Sequence, residues 1–122
     1  MRKFISIVLT GCLLVTAAQG AYGHAELEKS APSANSILTT SPKFIQLEFG
    51  EALTTLKGKS ANTITLLNPA GMKVATSAIS INKGVARVNI AAKLKPGSYT
   101  VQYRVVSADG HVLKSEFKFR IR

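Results

Sequence analysis

Two stretches of apolar–polar alternation, SYTVQYRVVS at 98–107 and LKSEFKFRIR at 113–122, close the chain and are joined by ADGH. Successive side chains of an extended strand point to opposite faces. Tyr99, Val101, Tyr103 and Val105 therefore share one face of the first stretch, and Leu113, Phe117, Phe119 and Ile121 one face of the second. Lys114, Glu116, Lys118, Arg120 and Arg122 take the other face of the second stretch, a charge row of the kind that usually meets solvent. An isolated hairpin is at best marginally stable in water. The remaining residues must therefore supply a cover for this apolar face.

They have the pattern to do so. FIQLEF (44–49) alternates Ile45, Leu47 and Phe49 with Gln46 and Glu48, the period of a half-buried strand. NTITLLN (62–68) is rich in β-formers and ends at the turn sequence NPAG (68–71), after which residues 72–75 form the return strand. GVARVNI places Ala86, Val88 and Ile90 opposite Arg87 and Asn89, and the turn KPG (95–97) follows, with Pro96 presetting φ. A first strand around residues 25–29 brings the expected number to seven. Short strands punctuated by turns predict an all-β fold, a seven-stranded sandwich or Greek-key barrel of immunoglobulin-like or cupredoxin-like type. EALTTLKGKS (51–60) is the one stretch with helical character, limited by Gly58. No internal repeat is visible.

Residues 1–23 have the three parts of a secretory signal: Arg2 and Lys3, the apolar run FISIVLTGCLLV (4–15), and the small and polar TAAQGAYG (16–23). The apolar run is shorter than the roughly 20 residues of a membrane-spanning helix. Signal peptidase requires small residues at the last and third-last signal positions. Ala21 and Gly23 meet that rule and release a chain beginning at His24; Ala18 and Gly20 also meet it and release one beginning at Ala21. LTGC (9–12) resembles a lipoprotein box, in which Cys12 becomes the lipidated first residue, but only eleven residues precede it. The expected organisation is a signal over 1–23 and one β domain over 24–122.

Loss of residues 1–23 removes Arg2 and Lys3 from sixteen basic residues, leaving fourteen against six acidic ones, a formal net charge of +8. The lysines are scattered and no nucleic-acid motif accompanies them, so no nucleic-acid partner is expected. Cys12, the single cysteine, is lost as well. The remaining domain then has no disulfide, no thiolate nucleophile, no zinc–thiolate knuckle and no blue-copper site. With no G-x-S-x-G motif, hydrolytic chemistry is poorly supported too.

The chain has two histidines, His24 and His111. Asp109 and His111 stand at i, i+2, which in an extended chain turns both side chains the same way. Asp-Gly is also a common turn dipeptide, so that pair alone is better read as a turn aspartate and an exposed histidine. A histidine in first position changes the chemistry, because its α-amine and ring Nδ1 close a chelate on one metal ion. Both can be neutral ligands near neutral pH. With the His111 imidazole and the Asp109 carboxylate, the set is three nitrogens and one oxygen. Such a set suits Cu(II) or Ni(II), with copper the tighter, and zinc as the competitor.

HAELEKSAPSANS (24–36), IQLEFGEAL (45–53), LKPGSYTVQYRVVSADGH (94–111) and the closing FKFRIR (117–122) together resemble the CopC family of periplasmic copper-binding proteins. The resemblance runs through essentially all of 24–122. It implies a small Greek-key β-barrel or sandwich and one Cu(II) per chain, held by the amine and ring of His24, by His111 and by Asp109. Family members often carry FSE in the second strand, with the glutamate near copper. This chain has FGE, which makes Glu51 a candidate auxiliary group. Some members have a methionine-rich Cu(I) loop; Met72 is the lone methionine of 24–122 and reads as a core or hairpin residue. The resemblance thus implies a periplasmic, monomeric, non-enzymatic Cu(II) carrier or buffer in copper homeostasis and resistance, with an inner-membrane copper-handling protein as partner. Two other readings use the same residues. One is a metal-free immunoglobulin-like binding module. The other is a copper monooxygenase, against which stand the small size, the absence of tryptophan and the carboxylate beside the second histidine.

Overall fold

In the computed structural model, residues 26–55 and 61–122 are described, and they form nine β-strands and no helix. These are β1 (Leu27–Ala31), β2 (Ile37–Leu38), β3 (Phe44–Phe49), β4 (Thr63–Leu67), β5 (Lys73–Val74), β6 (Ser80–Asn82), β7 (Val85–Asn89), β8 (Gly97–Val106) and β9 (Val112–Ile121). They assemble into a four-stranded sheet, β1-β3-β7-β6, and a five-stranded sheet, β2-β9-β8-β4-β5, packed as a β-sandwich. The signal segment, Cys12, His24 and residues 56–60 lie outside the described residues. Residues 51–55, the described part of the stretch with helical character, are not helical: Leu53 makes a β-bridge to Ser107.

Alternation decides which faces meet. Ile45, Leu47 and Phe49 of β3 and Ala86 and Val88 of β7 are buried from one sheet. Ile64 and Leu66 of β4, Tyr99, Val101, Tyr103 and Val105 of β8, and Phe119 and Ile121 of β9 are buried from the other. Phe49 and Tyr103 meet edge to face across the sandwich, with ring centroids 5.8 Å apart. Tyr99 and Phe119 stack within the five-stranded sheet at 5.6 Å, and the Tyr99 hydroxyl donates to the Lys95 carbonyl at 2.7 Å. A ring's apolar body is thereby buried while its polar tip is satisfied.

Seven of the nine strands correspond to the seven expected, with β1 beginning at Leu27, two residues later than expected, and β5 confined to Lys73–Val74. β2 and β6 are additional, with two and three residues respectively, too short to show a period. β2 adds to the edge of β9 in parallel, and β6 returns into β7 through Lys83, at φ 54°, and Gly84. Met72 is not a core residue. It is 63% exposed on the β4–β5 turn, where its N–H donates to the Asn68 side chain and its carbonyl accepts from the Asn68 N–H.

Candidate metal centre

The turn between β8 and β9 carries the sequence-predicted pair. Gly110 N–H donates to the Ser107 carbonyl at 2.9 Å, and Ser107 N–H to the His111 carbonyl at 2.9 Å. Gly110 sits at φ 92°, a conformation that a side chain would strain. Asp109 then closes an Asx turn, its Oδ1 accepting the His111 N–H at 3.1 Å. The i, i+2 spacing does bring the two side chains together, but through this turn rather than through an extended strand. His111 Nδ1 lies 2.8 Å from Asp109 Oδ2, and both side chains are substantially exposed.

Beneath this pair lies a residue that the sequence reading left unassigned. Ser107 is fully buried, and its hydroxyl donates to Asp109 Oδ1. That bond, followed by those from His111, lowers the Asp109 pKa from 3.8 to about 2. Ionised acceptors gain most from such donors. Asn62, 3% exposed, is the second: its Nδ2 donates to the Thr54 carbonyl at 2.8 Å and its Oδ1 accepts the Val106 N–H at 2.9 Å. The signal for both was present. Ser107 follows Tyr99, Val101, Tyr103 and Val105 in inward parity, and Asn62 precedes Ile64 and Leu66, so each is a polar residue on an apolar face.

The segment around Glu51 lies against the same turn. Ala108 N–H donates to the Ala52 carbonyl at 2.9 Å, and Thr54 N–H to the Val106 carbonyl at 2.8 Å. Gly84 permits the approach from the other side, since a Cβ there would stand 2.7 Å from the Phe49 carbonyl oxygen and 2.8 Å from that of Glu51. Upstream, Gly50 N–H donates to the Glu26 carbonyl at 3.0 Å. The beginning of the described chain, the Glu51 segment and the 107–111 turn thus share one end of the sandwich. Among the described residues no three His, Cys, Asp or Glu side chains gather into a cluster, so Asp109 and His111 are together and Glu51 does not join them in one. His24 lies outside the described residues.

Residues 27–122 match the family model of the CopC domain. The chain belongs to the CopC family. Protein YobA of Escherichia coli K12 is 34% identical over 125 residues, which span all of this chain and 94% of YobA. Copper resistance protein C of Escherichia coli is 32% identical over 120 residues, 94% of each chain. Among solved structures, CopC from Methylosinus trichosporium OB3b superposes with a TM-score of 0.69 at 27% identity, covering 80% of this chain and 93% of that one. PcoC, a methionine-rich copper resistance protein from Escherichia coli, gives 0.67 at 28% identity, with 81% and 99% covered. The sandwich described above is therefore the CopC fold.

Proposed function

We propose that this chain is a periplasmic Cu(II)-binding protein that carries or buffers one copper ion in copper homeostasis and resistance. It is read as a monomer without catalytic activity that serves an inner-membrane copper-handling protein. Copper is held by the amine and ring of His24, by His111 and by Asp109, with Glu51 as an auxiliary group. The observation that carries the reading is the Asp109–His111 pair at the 107–111 turn of a CopC fold.

The geometry supports it in three ways. His111 Nδ1 and Asp109 Oδ2 lie 2.8 Å apart, a separation that suits two adjacent ligands of one ion once copper replaces the proton between them. Asp109, ionised down to about pH 2, supplies the anionic member of the set. Glu26 stands at the end of the sandwich where Gly50 and Ala52 link the chain start to Ala108, and His24 precedes it by two residues in the sequence, a stretch of at most about 7 Å. Met72 sits at the other end of β8, about 20 Å away along the strand. A lone thioether at that distance favours a Cu(II)-only protein over one that shuttles metal between Cu(II) and Cu(I) sites.

His111→Ala is expected to weaken Cu(II) binding more than about a hundredfold, beyond the loss that an outer-shell partner alone causes. Isothermal titration against a competing chelator reads it. Unchanged affinity in a folded His111→Ala chain removes the proposed site and leaves the metal-free β-sandwich module.

A further inference from the structure

The outward faces of the two sheets differ in their charge. On the four-stranded sheet Lys29 lies directly opposite Glu48, and the Arg87 guanidinium sits 3.9 Å from the Phe44 ring centroid. On the five-stranded sheet, the positions alternating with the core carry Lys73, Arg104, Lys114, Lys118 and Arg120, with Glu116 as the acid among them. Their cross-strand neighbours do not neutralise them. Lys118 faces Thr100, Arg120 faces Ser98, and Arg104 faces Lys114. Among the described residues no salt bridge joins these five cations to a carboxylate.

Like charges directly opposite one another destabilise a sheet. Inside the fold the Arg104 guanidinium donates to the Ala61 carbonyl at 2.8 Å and Glu116 stands between Lys114 and Lys118, yet the face keeps an excess of positive charge, which points to a use outside the fold. The face runs about 20 Å along β9 from Lys114 to Arg120 and about 15 Å across four strands. Between the cations lie Thr63, Thr65, Ser98, Thr100 and Gln102, and of these Thr63, Thr65 and Gln102 line a shallow depression of about 530 Å³ whose walls also include Arg104, Lys114 and the acidic Glu116. Interfaces between proteins concentrate aromatic residues in a desolvated centre and are depleted in lysine. None of these outward positions is aromatic, and three of the five cations are lysines. Exposed Ile37 lies beside Arg120 at the edge, an apolar side chain suited to a headgroup layer.

We propose that the outer face of the five-stranded sheet docks on a bilayer of anionic lipid headgroups, with Lys73, Arg104, Lys114, Lys118 and Arg120 as its contacts. A flat, multivalent cationic surface complements a continuous sheet of negative charge. Docking in this orientation leaves the 107–111 turn at the rim of the contact, open to the side. The inference does not depend on the copper reading.

Co-sedimentation with phosphatidylglycerol-containing vesicles tests it, with phosphatidylcholine vesicles as the neutral comparison. The full-length processed chain is expected to partition onto the anionic vesicles at low ionic strength and to be released by salt, because screening shortens the reach of each charge. Each basic residue near an anionic surface contributes about fivefold. The triple variant Arg104→Gln, Lys114→Gln, Lys118→Gln should then lose about a hundredfold in partition. Lys43→Gln, Lys93→Gln, Lys95→Gln, exposed and off this face, makes the same change in net charge and should lose far less. Equal losses in the two triples would mean that net charge acts without this face, and would overturn the proposal. Absence of partition by the parent chain would overturn it as well. Binding to an acidic polypeptide without binding to anionic vesicles would reassign the face to a protein partner.

Discussion

Ser107 shows how one buried hydroxyl sets up the candidate site. Its O–H donates to Asp109, and this bond is the largest cause of the lowered Asp109 pKa, ahead of the His111 N–H groups. Ser107→Ala is therefore expected to move the Asp109 titration from about 2 back toward 3.8, read by carboxyl carbon NMR. A carboxyl still titrating at about 2 would assign the shift to His111 instead. The sign of the linkage follows. A carboxyl with a lowered folded-state pKa stabilises the fold above its unfolded pKa and loses that contribution as pH falls through the folded one. Acid weakening from this turn thus develops between pH 3.8 and about 2, and Ser107→Ala should blunt it. Asp109 and His111 were legible because metal-type residues at i, i+2 attract notice by type. Ser107 and Asn62 carry no such label, and only their parity with the buried alternation exposes them. Met72 shows the opposite limit: residue type leaves core and turn equally open, and the Asn68 turn decides between them.

At the scale of the element, the β8–β9 hairpin is the part most fully written in the sequence. Its ten registered pairs run from Gly97↔Ile121 to Val106↔Val112, and a slip of one residue would bury the lysines and expose the rings. Neighbouring residues of β9 should consequently respond in opposite ways. Phe119→Ala removes a 1%-exposed ring stacked on Tyr99 and is expected to cost about 3–5 kcal/mol. Lys118→Ala, on the outward face, should stay within about 0.5 kcal/mol. Denaturant unfolding of the two variants measures both, and comparable losses would contradict the register. β2 and β6 escaped the sequence because their existence depends on neighbours. β2 is two residues placed against β9, with Arg120 N–H bonding the Ser36 carbonyl and Asn35, at φ 62°, turning the chain toward it. The turn of β6 into β7 did leave a trace in NKG (82–84), where Lys83 takes positive φ and Gly84 clears the way for the Phe49–Glu51 backbone.

For the molecule as a whole, the proposed copper site joins the two ends of the domain's chain. Asp109 and His111 belong to the final hairpin, whereas His24 precedes β1, the edge strand of the opposite sheet. A ligand that bridges them in the folded chain and has no such site in the unfolded one stabilises the fold by mass action. With free copper at 100 times its dissociation constant the gain is about 2.7 kcal/mol. For a domain of this size each kcal/mol raises Tm by about 4–8 °C, so the expected shift is about 10–20 °C. The sign of dependence on the chain start follows from chemistry alone. A chain beginning at His24 offers amine and ring to one ion, whereas one beginning at Ala21 keeps the ring but has an amide where the amine was. Thermal unfolding with and without Cu(II) should therefore show the full shift for the His24 start and a small fraction of it for the Ala21 start. Equal shifts in the two chains would place copper on His111 and Asp109 without the N-terminal chelate. No shift in either would favour the plain β-sandwich module, with the two histidines incidental to it.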